Sequence, residues 1–228
     1  MTAIGTAKSA AVRDGRTLML EDGRELRLAA IEAGDESRDA LRSLIGGQAL
    51  RLEWQSLGRQ GAAFDRYGRL LAFAYAGDAR QSLQQALLEQ GQARVSARTG
   101  GRACADALLT AERAARAAHR GLWADPNFAP LQVENLAKLT AEQGRFALVE
   151  GKVLSVRESG ATIYVNFGRR WTQDFTVIIL KRQQRTFTAA GVEPKQLEGR
   201  RIRVRGWIER RGGPVIMAEA PEQIEFVE

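Results

Sequence analysis

The sequence predicts a mixed β-barrel and helix (α+β) fold in two domains, of which the second is a small β-barrel. Two observations carry this prediction. Segments with strand and helix periodicity alternate in the first half, whereas short β-like segments follow one another from Gly144 onward. Pro126 and Pro130 interrupt the pattern between them. The predicted domains are residues 1–128 and 144–228, joined by a linker at 129–143.

The strands of the first domain follow from apolar alternation and turn residues. The tight-turn signal Glu21-Asp22-Gly23 separates two β-like segments. A glycine-containing loop from Gln55 to Asp65 separates two more. The predicted strands are 17–20, 24–31, 49–54 and 70–75.

Three helices are predicted at 36–45, 80–90 and 105–120. Each is followed by glycine, and Asp78 is a candidate cap of the second. In the third helix, Glu112 and Arg116 lie four residues apart, a spacing typical of a solvated helix face.

The second domain consists of short apolar segments with the alternation of strands. Several such strands with one intervening helical or coil stretch predict a small closed barrel. The predicted strands are 146–156, 162–167, 175–180, 202–208, 215–218 and 224–227.

Composition limits the possible chemistry. With only one histidine and one cysteine, the chain cannot form a two-histidine metal motif or an intrachain disulfide. Hydrolysis would depend on carboxylates, arginines, hydroxyls, a tyrosine or a bound ion. No apolar run approaches the ~20 residues of a membrane helix, so no membrane partner is expected. The charge is +7, with 19 basic against 17 acidic residues in 1–143 and 15 against 10 in 144–228.

Residues 1–11 lack the long apolar run of a signal peptide. The expected location is cytoplasmic, or secreted or periplasmic if a leader has been removed. The sequence does not choose between these locations.

Several motifs, in a consistent order and spacing over residues 8–124, resemble the staphylococcal nuclease family. They are Arg13-Asp-Gly-Arg-Thr17, Arg27-Leu-Ala-Ala-Ile-Glu32, Asp65-Arg-Tyr-Gly-Arg69, Gly91-Gln-Ala-Arg-Val95 and Gly121-Leu-Trp123. The resemblance implies a five-stranded OB-type barrel flanked by three helices. It also implies a calcium-assisted phosphodiesterase site on the barrel surface.

The resemblance assigns catalytic roles to four residues. Arg27 and Arg69 match the arginines that stabilise the phosphate in the transition state. Asp35 stands where the family has its water-activating glutamate, and Glu36 is the rival for that role. Tyr67, in the turn that contains Arg69, is expected to contact nucleic acid.

The calcium site implied by the resemblance is altered. Asp14 and Glu32 remain as candidate ligands, but Arg16 replaces the second aspartate of the family's Asp-Gly-Asp-Thr. The replacement changes the local charge by two units, each worth about 4 kcal/mol at 4 Å and an effective dielectric constant of about 20. No cofactor is therefore expected.

Three interpretations of Arg16 stay open. It replaces the ion and contacts nucleic acid in a metal-independent nuclease, or it pairs with Glu32 or Asp35 in a catalytically dead remnant. The third interpretation is a plain surface residue of the hairpin.

The second domain resembles an OB-fold nucleic-acid-binding module over residues 196–208, Gly212-Gly-Pro214 and 221–225. Strand alternation places one set of side chains on the face opposite the apolar residues. That set is Arg201, Arg203, Arg205 and Trp207. Cations and an exposed ring suit single-stranded DNA or RNA, with phosphates on the arginines and bases on the ring.

Tyr164 lies on a similar polar face of its strand. The loop Gly168-Arg-Arg-Trp171 is compatible both with nucleic-acid binding and with the alternative interpretation of this domain. In the alternative interpretation, Trp207 caps the barrel and the arginines pair with Glu198 and Glu209. The predicted function is nucleic-acid binding, with phosphodiester hydrolysis if activity survives. The rivals are an inactive nucleic-acid scaffold and a pair of barrels that binds protein.

Overall fold

A computed structural model describes residues 2–54, 64–98, 102–170 and 172–227. The chain divides into two compact units, Met1–Pro126 (unit 1) and Asn127–Glu228 (unit 2). Each has its own core of buried aliphatic and aromatic side chains. Most of the predicted loop from Gln55 to Asp65 lies outside the described residues. Among the described helices, none is long and apolar enough to cross a membrane.

Unit 1 combines strands with three helices, in the order that the sequence predicts. Its strands are β1 (Thr2–Ala7), β2 (Ser9–Val12), β3 (Thr17–Leu20), β4 (Glu25–Leu28), β5 (Ile31–Glu32), β6 (Leu50–Trp54), β7 (Leu70–Ala76) and β8 (Arg94–Val95). Its helices are α1 (Arg38–Ile45), α2 (Leu83–Glu89) and α3 (Arg102–Ala117).

Six strands of unit 1 form one sheet in the order β1-β6-β7-β4-β3-β2. Strands β4 and β7 are parallel, and the other neighbours are antiparallel. The end strands β1 and β2 are joined through Lys8, so residues 2–12 pair with β6 through their first half and with β3 through their second. Strands β5 and β8 form a separate pair.

Two details of unit 1 differ from the sequence predictions. Ala30 adopts a left-handed φ of 65°, which interrupts the strand predicted at 24–31 and separates β4 from β5. Helix α2 is capped by Ser82 and not by Asp78, because the Ser82 side chain accepts a hydrogen bond from the Gln85 amide at 3.2 Å.

Unit 2 contains short strands and two short helices. Its strands are β9 (Leu131–Gln132), β10 (Phe146–Lys152), β11 (Ser155–Ser159), β12 (Thr162–Asn166), β13 (Thr176–Leu180), β14 (Arg201–Trp207), β15 (Glu209–Arg211), β16 (Gly213–Met217) and β17 (Ile224–Phe226). Its helices are α4 (Leu136–Ala141) and α5 (Gln184–Ala189).

The segment predicted as a linker, 129–143, is part of unit 2. It contains β9 and α4, and β9 pairs in parallel with β10. Leu131, Val133 and Leu139 are buried in the core of this unit. These apolar side chains explain why the segment packs instead of crossing between domains.

The sheets of unit 2 run β17-β14-β10-β9 and β11-β12-β13-β16-β15. The strand pairing repeats that of unit 1. One chain segment, β10 with β11, pairs with β14 on one side and β12 on the other, and β13 is parallel to β16. No sheet of the described residues is a ring of hydrogen-bonded strands, so the closed barrel predicted for the second domain is instead two open sheets, linked by the chain from β10 to β11 and from β14 to β15.

Candidate phosphate site and the arginines of unit 2

Arg27 lies in the middle of β4, between two residues of the core. Leu26 and Leu28 are 0% and 1% exposed, and strand alternation turns Arg27 to the opposite face. Its guanidinium has no ion-pair partner among the described side chains. Burial lowers the pKa of Arg27, and the charges of Arg16 and Arg69 lower it further. A partly buried cation of this kind is best compensated by a bound anion.

Arg16 is held close to the same face by the turn before β3. The Asp14 carboxylate accepts a hydrogen bond from the Arg16 amide at 2.8 Å, and the amide of Gly15 donates to the Gly34 carbonyl at 2.8 Å. A side chain at Gly15 would overlap that carbonyl, which explains glycine there. The Arg16 Nη1 donates to the Ile31 carbonyl at 2.9 Å and forms an ion pair with Glu32.

Glu32 is the carboxylate that forms the ion pair with Arg16. Burial raises the pKa of Glu32, although the positive charges of Arg16 and Arg27 act in the opposite direction. The two side chains of the pair are only 12% and 13% exposed. Arg16 is therefore neither a plain surface residue nor a partner of Asp35, two possibilities that the sequence left open.

The calcium site implied by the resemblance does not fit these residues. Glu32, a candidate ligand, is occupied by the Arg16 guanidinium, and Asp14 accepts a backbone amide of its own turn. The described residues contain no cluster of three acidic, histidine or cysteine side chains that could hold a metal ion. Calcium needs six to eight oxygen ligands, and a fixed cation at one ligand position repels it.

Arg69 is fixed by the turn that carries it. The Asp65 carboxylate accepts hydrogen bonds from its backbone amide at 3.0 Å and from Nε at 2.7 Å. Burial alone would raise the pKa of Asp65, but the hydrogen bonds from Arg69 outweigh it and lower the pKa. Tyr67 is 67% exposed, with the Arg66 and Arg69 guanidinium carbons 4.8 Å and 5.1 Å from its ring centroid.

Asp35 and Glu36, the predicted water-activating residues, are not in contact with the three arginines. Both are exposed. Asp35 forms an ion pair with Arg38, and Glu36 accepts a hydrogen bond from the Gly34 amide at 3.0 Å. Because the short helix at Asp35–Ser37 turns both side chains into local contacts, the general-base prediction gains no support from geometry.

Sequence reasoning missed the buried charges behind Glu32. Arg94 lies opposite Glu32 in the β5–β8 pair. Glu112 is 0% exposed, accepts from the Val95 amide at 2.5 Å and pairs with Arg116 at 2.9 Å. The prediction that Glu112 is solvated is wrong. Its spacing from the apolar residues of α3, at 105, 108, 109 and 115, is the sequence signal that places it on the buried face.

Arg201 and Arg203 of β14 are exposed and partly exposed, whereas Arg205 is buried, and carboxylates of neighbouring strands neutralise all three. Glu150 on β10 accepts from Arg201 Nε at 2.9 Å and from Arg203 Nη2 at 2.7 Å. Arg205 is 1% exposed and forms an ion pair with Glu225 on β17. The predicted row of free cations is therefore corrected, since Arg205 is not at the surface.

Glu198 and Glu209, which the alternative interpretation pairs with the arginines of β14, have other partners. The Glu198 carboxylate accepts from the Val156 amide at 3.0 Å, and Glu209 pairs with Arg211 at 3.3 Å. Trp207 packs edge-on against Phe146, at 6.2 Å between ring centroids, and keeps 48% exposure.

Tyr164 is partly exposed on β12, opposite Arg157 of β11. It therefore lies on a different sheet from the arginines of β14.

The fold and the site define an α+β domain with three arginines gathered around one strand. Residues 14–125 match the family model described as staphylococcal nuclease homologue. The resemblance read from the motifs is therefore confirmed over residues 14–125. The family is one of nuclease-type, nucleic-acid-binding domains. A comparison with curated proteins finds no match.

Proposed function

We propose that this chain binds nucleic acid through a phosphodiester group at Arg27, without a calcium ion. The observation that carries the proposal is the Arg27 guanidinium, which is partly buried and has no carboxylate partner among the described residues. An anion placed there would offset both the burial of Arg27 and its repulsion from Arg16 and Arg69.

The ion pair of Arg16 with Glu32 supports binding without metal. Arg16 supplies a fixed positive charge where the family has a calcium ligand, so the site keeps a cation near the phosphate. Planar guanidinium groups bind phosphate oxygens in two-point geometry, which suits a phosphodiester. The exposed ring of Tyr67 beside Arg69 gives a stacking surface next to that phosphate.

Binding of a labelled single-stranded oligonucleotide by Arg27→Ala tests the proposal. Charge-assisted hydrogen bonds contribute about 1.5–3 kcal/mol, so we expect at least a tenfold loss of affinity. The matched control is Arg24→Ala, which removes the same charge from the same hairpin at a side chain 45% exposed and paired with Asp22. Equal affinities of the two variants would overturn the proposal.

Phosphodiester hydrolysis is the second candidate function. The observation that favours it is the raised pKa of Glu32, since a carboxylate with a raised pKa accepts a proton from water more readily than an ordinary one. Glu32 would then act as base beside Arg27, a role that the resemblance gave to Asp35 or Glu36.

A cleavage assay with excess EGTA separates the two functions. Metal-independent cleavage that Arg27→Ala and Glu32→Gln both abolish would establish hydrolysis. Binding without cleavage leaves the domain as a nucleic-acid-binding module. Cleavage that EGTA abolishes would contradict the substitution of Arg16 for the ion.

A further inference from the structure

Unit 2 carries uncompensated positive charge at a place other than β14. Arg169 and Arg170, in the loop between β12 and β13, and Arg210, in β15, are all exposed. None of the three side chains has a carboxylate partner in the part of the chain that the structure describes. We call these three arginines the basic loop tip. Trp171, in the same loop, lies outside the described residues.

The two loops that carry the basic loop tip are in backbone contact. A side chain at Gly213, at the start of β16, would lie 2.7 Å from the Asp174 carbonyl, and one at Gly212 would lie 3.4 Å from the Thr172 Cα. Only residues without a side chain allow the hairpin to approach the loop this closely. The arginines of both loops are thereby held at one end of the unit.

The acidic residues of these loops do not neutralise the tip. The Asp174 carboxylate accepts from the Arg170 amide at 2.7 Å, and the Arg170 carbonyl accepts from the Gln173 amide at 2.8 Å. The Asp174 carboxylate therefore forms its hydrogen bond to the backbone of its own turn and not to an arginine side chain of the tip. Glu209 pairs with Arg211 at 3.3 Å, a fourth arginine outside the tip.

A groove of about 450 Å³ lies beside Arg210 and between α4 and the two loops. Helix α4 contributes Leu136 and Ala137, the loop contributes Thr172 and Gln173, and the hairpin contributes Arg210 and Pro214. A nucleobase has two flat apolar faces and a polar edge. This lining offers apolar contact for the faces, and hydroxyl and amide groups for the edge.

We propose that the basic loop tip and this groove form a second nucleic-acid site, specific for single strands. Phosphates bind the three arginines, and an unstacked base enters the groove. A duplex does not present its bases this way, so it is excluded from the groove. The site differs from the Arg27 site of the proposed function and shares with it only the class of ligand.

The experiment measures binding of the full chain to oligothymidylate across a salt series. The test variant is Arg169→Gln/Arg170→Gln/Arg210→Gln, and the control is Lys152→Gln/Arg182→Gln/Arg185→Gln, which removes three other exposed cations of unit 2. Each phosphate contact in a single strand contributes about 0.7 to the slope of log K against log salt. In the Arg27→Ala background, where the tip is the remaining proposed site, we expect the test substitutions alone to lose a slope of about 2 and at least tenfold in affinity.

Ala137→Trp fills the groove from an exposed position of α4 and tests the base contact. In the same Arg27→Ala background, it should abolish the preference for oligothymidylate over an abasic oligomer of the same length. If the unmodified chain binds those two ligands equally, the proposal that a base enters the groove is overturned. Equal losses of affinity and salt slope in the two triple variants would overturn the proposal that the basic loop tip binds nucleic acid. Stronger binding of the chain to phosphatidylserine vesicles than to the oligonucleotide would also overturn it.

The Arg27→Ala variant distinguishes this proposal from the previous one. If the Arg27 site does not bind nucleic acid, that variant binds normally while the tip variant still loses a salt slope of about 2. If the basic loop tip does not bind nucleic acid, the tip variant binds normally while Arg27→Ala still loses affinity.

Discussion

The side chain at position 16 decides which charge lies beside Arg27, at the proposed phosphate site of unit 1. Its guanidinium donates to the Ile31 carbonyl and forms an ion pair with Glu32. The positive charge at this position belongs to the side chain itself. A bound ion, by contrast, depends on the concentration of free metal.

Arg16→Asp should therefore create calcium binding. The substitution removes the fixed cation, releases Glu32 and adds a carboxylate beside Asp14. Calcium at about 100 times its Kd would stabilise the variant by about 2.7 kcal/mol and raise its Tm by several degrees. Thermal unfolding with calcium and then EGTA measures the effect, and Asp14→Asn in the same background serves as control. A calcium-dependent Tm in the unmodified chain would refute this account of position 16.

Glu150 gives a pH-dependent prediction, also at the scale of one residue. Burial would raise the pKa of Glu150, but hydrogen bonds from Arg201 and Arg203 outweigh it and lower the pKa below its ordinary 4.5. A lowered pKa in the folded state stabilises the protein above about pH 4.5. That stabilisation is lost as the pH falls through the folded-state pKa.

Glu150→Gln should lower the free energy of unfolding by about 2 kcal/mol at neutral pH. The difference from the unmodified chain should shrink towards zero as the pH falls through the lowered pKa of Glu150, where Glu150 itself becomes protonated. Urea unfolding at several pH values measures it. Glu142→Gln, which removes a partly exposed partner of Arg145, is the control. A difference that does not change with pH would show that Glu150 contributes by packing alone.

At the scale of elements, the junction after α2 holds β8 in place against β5. Gly91 has a φ of 71°, and a side chain there would overlap the Arg120 carbonyl. The Gly91 carbonyl in turn accepts from the Leu122 amide at 2.9 Å. This close approach fixes the chain that leads to Arg94, which lies opposite Glu32.

Gly91→Ala should destabilise unit 1 by more than about 2 kcal/mol, because steric overlap adds to the cost of a left-handed backbone. Gly23→Ala is the matched control. Gly23 has a φ of 83° but nothing within 4 Å of the added carbon, so we expect a cost of only about 1 kcal/mol. Chemical denaturation measures both, and equal costs would mean that the contact with Arg120 is unimportant.

The sequence predicts those features that depend on near neighbours. The alternation of Leu26, Arg27 and Leu28 sets the face of Arg27 without knowledge of the rest of the fold. Likewise, the turn residues after 20 and the glycines after each helix fix most element boundaries of unit 1.

Partners that depend on pairing between distant strands could not be predicted in this way. Glu150 lies 51 residues before Arg201, and Glu225 lies 20 residues after Arg205, so only the register of β10, β14 and β17 brings them together. The sequence interpretation considered nearer acidic residues, Glu198 and Glu209. The exposure of Arg201 and Trp207 was therefore predicted correctly, but the burial of Arg205 and the charge balance of β14 were not.

On the scale of the whole molecule, both units are basic. Residues 1–126 hold 18 basic and 15 acidic side chains, and residues 127–228 hold 16 and 12. The excess looked concentrated in the second domain as long as Glu134 and Glu142 were counted with the first. The boundary of the compact units moves them, with Lys138, to unit 2. The +7 charge is thus shared almost equally, as two proposed nucleic-acid sites require.

Two sites on two units predict the stoichiometry of binding. A single-stranded oligonucleotide too short to occupy both should bind the unmodified chain with two molecules per chain at low salt. Arg27→Ala and the triple variant of the basic loop tip should each reduce this number to one. The reason is that each variant removes the guanidinium groups of one site and leaves the other intact. Isothermal titration calorimetry measures the stoichiometry, and a value of one for the unmodified chain would contradict the existence of two separate sites.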